Sequence, residues 1–183
     1  MNALLPTLYL LILFTSLTIL LFFLSNQILK KKELETELSE LQKKLRSGSA
    51  MSSDYYSLGV IYLSKKLFDE AILQFSNALK SWNKNDIEGL VNLYNTIGFT
   101  YFQSGQFDIS IFYYKEAILL DPKYTIALNN LAYCYEKKKM TQDAIEVYSK
   151  VLLIDENNQI ANEKLIGPPS LLMNPVVPPL SLL

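Results

Sequence analysis

One pattern of small and large apolar residues occurs three times in this chain, and its spacing constrains the fold more than any other feature. The first copy reads Tyr55, Leu58, Gly59, Tyr62, Ala71, Phe75, Ala78. The second reads Tyr94, Ile97, Gly98, Tyr101, Ser110, Tyr114, Ala117, and the third Leu128, Leu131, Ala132, Tyr135, Ala144, Tyr148, Val151. The first half of each copy falls at i, i+3, i+4 and i+7 and the second at i, i+4 and i+7, each on one face of a helix. Gly98 to Ala132 is 34 residues, a period in the range of stacked helical repeats, whereas Gly59 to Gly98 is 39. The small residues belong where two antiparallel helices approach, and the large ones fill the remaining holes. The spacing predicts helices over 52–65, 69–82, 90–104, 107–120, 125–138 and 141–154. Gly105 separates the helices of the middle copy. Asp121 and Pro122 close that copy, because proline can open a helix but not continue one. The five extra residues fall around 82–88, where they either lengthen the preceding helix or form a loop. Trp82 reads there as a packing residue.

A second feature precedes the repeats. Residues 4–29 carry no charge and include seventeen Leu, Ile or Phe. As a helix this stretch is about 39 Å long at ~1.5 Å per residue, enough to cross a hydrocarbon core of ~30 Å. Insertion is favoured by on the order of 5 to 10 kcal/mol before polar and end effects. Pro6 falls in the first turn, where a missing N–H matters least, and Tyr9 near an interface. A cleaved signal peptide would show a basic segment first, a shorter apolar core and small residues at a cleavage site. A buried soluble helix would need more cover than a domain of this size supplies. The expectation is therefore a permanent transmembrane anchor. Lys30, Lys31 and Lys32 follow it and predict that the C-terminal part stays on the cytoplasmic or stromal side.

Residues 30–51 read as a basic stop and an amphipathic linker. Leu34, Leu38, Leu41 and Leu45 form a narrow seam at spacings of 4, 3 and 4. The seam serves either as a spacer helix lying on the first repeat, the favoured reading, or as a weak homodimer contact. Residues 46–50 read as a flexible hinge. Lys137, Lys138 and Lys139 suit a helix C-terminus and are assigned no partner. Cys134 reads as a small buried residue. The tail at 167–183 is uncharged and rich in proline. It is weighed as disordered, as lying on the membrane, or as docking in the protein's own groove.

Composition narrows the function classes. A net charge of −1 provides no field to collect nucleic acid, and histidine is absent, which removes the commonest general base and metal ligand. The lone cysteine forms no internal disulfide. No Cys/His cluster, phosphate loop or nucleophile elbow is present. The chain is not expected to be an enzyme, and no catalytic residue, cofactor or metal is assigned.

Over residues 52–166 the copies match the tetratricopeptide-repeat family position by position. Departures occur at Ser110 and Val151, where alanine is usual, and at Lys66 and Lys139, where a turn glycine is usual. The resemblance implies an all-α fold: a transmembrane helix, then a three-unit α-solenoid (52–85, 91–124, 125–158) with a capping helix at 159–166. It also implies a groove for protein partners along the first helix of each unit. Its lining would be Ser53, Tyr56, Val60 and Leu63, then Asn92, Asn95, Phe99 and Phe102, then Ile126, Asn129, Tyr133 and Glu136. Asn95 and Asn129 would bond a partner backbone, and Tyr56, Phe99 and Tyr133 would receive apolar side chains. The alternative for each ring is packing between helices. Chaperone-binding members grip a C-terminal carboxylate with basic and amide side chains. Here Tyr56, Val60 and Ile126 stand in those places, which disfavours a co-chaperone.

The order of anchor, basic stop, linker and repeats resembles small membrane-bound members of cyanobacteria and red-algal plastids involved in photosystem I assembly. Abundant Asn, Ile, Lys and Tyr without histidine suits an AT-rich organelle genome. That likeness implies a thylakoid anchor, repeats in the stroma, and photosystem I subunits or assembly factors as partners. The alternative is a receptor-like or scaffold subunit of a protein import or envelope-biogenesis complex, in a plasma or envelope membrane with the repeats cytoplasmic.

Overall fold

A computed structural model describes residues 4–166, and all its regular elements are helices: α1 Leu4–Arg46, α2 Ser52–Ser64, α3 Phe68–Ser81, α4 Ile87–Gln103, α5 Phe107–Leu120, α6 Thr125–Lys137, α7 Thr141–Ile154 and α8 Gln159–Ile166. The tail at 167–183, with the roles weighed for it, lies outside the described residues.

Anchor and linker, read as separate segments, form one uninterrupted helix of 43 residues. Its apolar part has a mean hydropathy of 2.4 over an 18-residue window, none of it buried within the chain. Thr15, Ser16 and Thr18 donate their hydroxyls to the carbonyls of Ile12, Leu13 and Thr15 at 2.8–2.9 Å. These three hydroxyls are thus satisfied by the helix itself, which is what a lipid environment would require of them. Beyond the span, Leu34, Leu38, Leu41 and Leu45 pack on Leu58, Ile61 and Tyr62 of α2. The seam is thus covered within the chain by α2, as the spacer reading expects.

The expected hinge is a defined helix stop. Gly48 takes φ of 70°, the Ser49 N–H donates to Lys44 O and the Gly48 N–H to Leu45 O, both at 3.1 Å. Glycine alone enters this left-handed region without strain. Asp54 then ties α2 back to α1, accepting from the Met51 N–H at 2.9 Å and from Lys44 Nζ at 2.7 Å. Both contacts, the lysine first, hold its carboxyl below the ordinary value.

Each repeat is a helical hairpin closed in the same way. Phe75, Tyr114 and Tyr148 are at most 2% exposed and fill the space beside Gly59, Gly98 and Ala132. A methyl on Gly59 would lie 2.5 Å from a Phe75 ring carbon, and one on Gly98 would lie 2.8 Å from Tyr114. Ser110 occupies an alanine position because its hydroxyl donates to Gly98 O at 2.8 Å. The turns share one geometry. Leu67, Gln106 and Met140 donate their N–H groups to Tyr62, Tyr101 and Tyr135, each at 2.9 Å. The residues before them, Lys66, Gly105 and Lys139, sit at φ of 59°, 80° and 62°.

The extra residues near 82–88 do not lengthen α3. They form a short loop and then an added turn at the start of α4, which has 17 residues against 13 in α2 and in α6. Asp86 organises this entry: its carboxylate accepts from the Gly89 N–H at 2.9 Å and from Trp82 Nε1–H at 3.0 Å. Trp82 packs edge-on to Tyr56 with ring centres 6.0 Å apart. At the other end Ala161 of α8 is fully buried among Leu128, Leu131 and Tyr135.

Candidate protein-binding groove

The first helices α2, α4 and α6 stand side by side, stitched by side chains from successive units. Tyr56 Oη and Thr96 Oγ1 are 3.3 Å apart, joining α2 to α4. Tyr124 Oη donates to Asn92 Oδ1 at 2.8 Å, and Asn130 Nδ2 donates to Asn95 Oδ1 at 2.9 Å, joining α4 to the start and middle of α6. Asn129 Nδ2 donates to Asn158 Oδ1 at 3.1 Å, just before α8. Of the amides expected to meet a partner backbone, Asn95 therefore joins the second unit to the third, and Asn129 ties the third unit to the residue that precedes α8. Asn129 is only 7% exposed, and among the described residues its Oδ1 is covered with no hydrogen-bond partner.

The aromatic and aliphatic positions divide. Val60, Phe99 and Tyr133 occupy one position in successive units, and each remains 38–40% exposed. Ile126 is 53% exposed. These four side chains present apolar surface that the fold leaves uncovered. Tyr56 packs between Phe75 and Trp82, with ring centres 5.7 and 6.0 Å away. Phe102 packs on Phe107 and on Tyr133, both at 5.4 Å, and Leu63 is half-buried. Ser53 is exposed and Glu136 half-buried.

Three residues absent from the sequence-based set shape this face. Lys137 and Lys164 flank the Tyr133 ring at 5.0 and 5.2 Å, and Lys164 also pairs with Glu136 at 2.7 Å. Lys138 pairs with Asp108 of the preceding unit. The lysines given no partner in the sequence thus have two. The contacts of Lys138 and Lys164 come from segments about 30 residues away, which helical periodicity does not register, whereas Lys137 and Tyr133 share one helix face at a spacing of four. Cys134 is buried, and burial pushes its thiol up; its Sγ lies 3.5 Å from the Phe107 carbonyl. Among the described residues, no three His, Cys, Asp or Glu side chains gather as a metal site requires.

Comparison with known proteins agrees with this architecture. Models described as tetratricopeptide repeat match residues 55–81, 91–124 and 125–158. "Uncharacterized protein ycf37" of Guillardia theta is 43% identical over 165 residues, covering 90% of this chain and 93% of that protein. A chloroplastic tetratricopeptide repeat domain-containing protein, PYG7 of Arabidopsis thaliana, is 34% identical over 156 residues. That alignment covers 85% of this chain and 52% of the relative, so the chain spans about half its length. Among solved structures, YrrB, described as a TPR protein with an unusual peptide-binding site, superposes with a TM-score of 0.60 at 22% identity, covering 80% of this chain and 82% of that one. The first TPR of Spaghetti (RPAP3), bound to the HSP90 peptide SRMEEVD, gives 0.56 at 20% identity over 63% of this chain and 87% of that one. At these identities the two structures share the helical stack with this chain, and nothing finer follows.

Proposed function

Because the chain belongs to the tetratricopeptide-repeat family, in its plastid ycf37 group, we propose that it is a single-pass membrane scaffold that holds polypeptide partners during photosystem I assembly. The observation that carries the binding part is the column Val60, Phe99 and Tyr133. Three successive units leave an apolar side chain open at the same position, and exposed aromatic anchors of this kind dominate recognition energetics. An extended peptide crossing the first helices meets Val60, then Phe99, then Tyr133, with Ile126 at the margin. Peptide capture by YrrB and by the Spaghetti domain supports this use of the fold.

The membrane part rests on α1. Its uncharged span and the lysines at 30–32 favour an anchor with the repeats on the cytoplasmic or stromal side, and the plastid relatives support the thylakoid as the membrane. The partner choice rests on the layout shared with photosystem I assembly proteins.

The test is recovery of partners from detergent-solubilised thylakoids through the tagged full chain. Photosystem I subunits are expected with the wild type. A variant carrying Val60→Asp, Phe99→Asp and Tyr133→Asp should stay in the membrane and lose them. Recovery of import or envelope-biogenesis proteins alone would replace this reading with the receptor one.

A further inference from the structure

We infer that the helical stack stands on the bilayer by the edge that carries its intra-unit turns, with residues 65–67, 104–106 and 138–140 facing the lipid headgroups. The inference rests on the membrane reading of α1 given above and adds the orientation of everything that follows it.

The geometry is set by α1 being one unbroken helix through and beyond the span. It packs against α2 in antiparallel fashion: Lys44 near the end of α1 binds Asp54 near the start of α2 at 2.7 Å, while Glu35 binds Lys65 just past the end of α2. The chain therefore leaves the membrane along α1 and returns toward it along α2. Glu35 lies five residues beyond Lys30, about 8 Å along the axis at ~1.5 Å per residue. Headgroups occupy roughly 5 to 8 Å on each side of the hydrocarbon core. The turn at 65–67 is thus placed at the headgroup surface.

The other units keep that direction. α2, α4 and α6 are joined side by side through Tyr56 and Thr96, then through Asn95 and Asn130, and Lys138 of the third turn binds Asp108 beside the second. Lysine replaces glycine at the left-handed positions Lys66 and Lys139, and both side chains are exposed. Asp69, Glu70, Asp108 and Asp143 open the second helices on the same edge. Charge is close to balance there, so the contact is set by the height of the turns and not by a basic field. The loops at 82–86, 121–124 and 155–158 lie at the far edge, about 20 Å higher, the length of α2 at ~1.5 Å per residue. The proposed groove runs across the first helices, parallel to the membrane. The chemistry it fits is a loop or terminus of a protein held in the same bilayer.

The experiment reconstitutes the full chain in phosphatidylcholine liposomes containing a trace of headgroup-labelled acceptor lipid. A donor dye is placed, one site at a time in a Cys134→Ala background, at Lys66→Cys, Gln106→Cys or Lys139→Cys, and at Lys84→Cys or Glu156→Cys on the far edge. All five sites are exposed, so labelling leaves the core untouched. Energy transfer should be several-fold stronger for the turn sites than for the loop sites. Equal transfer from both edges, or the reverse order, with α1 resisting alkaline extraction, overturns the orientation alone. Release of α1 by alkali removes the anchor reading and this inference with it.

Discussion

At Gly59 and Gly98 two physical effects oppose each other, and their magnitudes decide the outcome. Alanine would raise helix propensity by about 1 kcal/mol, but its methyl would press into Phe75 or Tyr114, and overpacking of that kind costs about 1 to 3 kcal/mol. Gly59→Ala and Gly98→Ala should therefore lower stability in chemical denaturation despite the better helix. The turns predict the opposite sign. Lys66 and Lys139 hold a conformation that glycine adopts freely, so Lys66→Gly and Lys139→Gly should each add roughly 0.5 to 1 kcal/mol, and Gly105→Ala should lose about as much. A thermal melt distinguishes the two directions. Tyr148 buries its hydroxyl beside the Glu136 carboxylate, yet among the described residues no group lies in hydrogen-bonding geometry with it. Tyr148→Phe should be neutral or stabilising by about 1 kcal/mol, and a loss of stability would show that a partner exists.

Among the elements, the junction of α1 with α2 is the most exposed to test. Leu58 and Ile61 are 1% and 3% exposed, in a cluster that the leucine seam completes. A chain beginning at residue 30 should fold as the full repeat domain does. One beginning at residue 51 should lose on the order of 3 to 6 kcal/mol from these two side chains, a large share of the 5 to 15 kcal/mol typical of a domain. Comparing their unfolding midpoints in urea checks this. The same junction carries a pH dependence. The Asp54 carboxyl is held below its ordinary value by Lys44 and the Met51 N–H. Its contribution is present above the unfolded value near 4 and is lost as pH falls through the lower folded value. Asp54→Asn should flatten that acid limb, read as the pH dependence of the melting temperature.

Across the whole molecule, the stack ends where α8 covers the third unit. Ala161→Glu would force a charge among Leu128, Leu131 and Tyr135, at a cost of several kcal/mol. Loss of cooperative unfolding from the C-terminal end, seen by hydrogen exchange in α6 and α7, is the expected result. The repeats, their hairpin form, the uncharged span and the capping helix were legible from residue order, because periodicity and hydropathy are properties of neighbours along the chain. So were the small residues Gly59 and Gly98, whose positions follow from the helical repeat; Val60, Phe99 and Tyr133 came from the family resemblance as part of a longer groove set, and their shared exposure is seen only in the structure. Tertiary structure alone decided that Asn95 bridges two units while Asn92 and Asn129 bind side chains at the far end of their own units, that the leucine seam is spent on α2, and that the extra residues enter α4. Each of these depends on which side chain from a distant segment arrives within bonding distance, and that choice is made by packing in three dimensions.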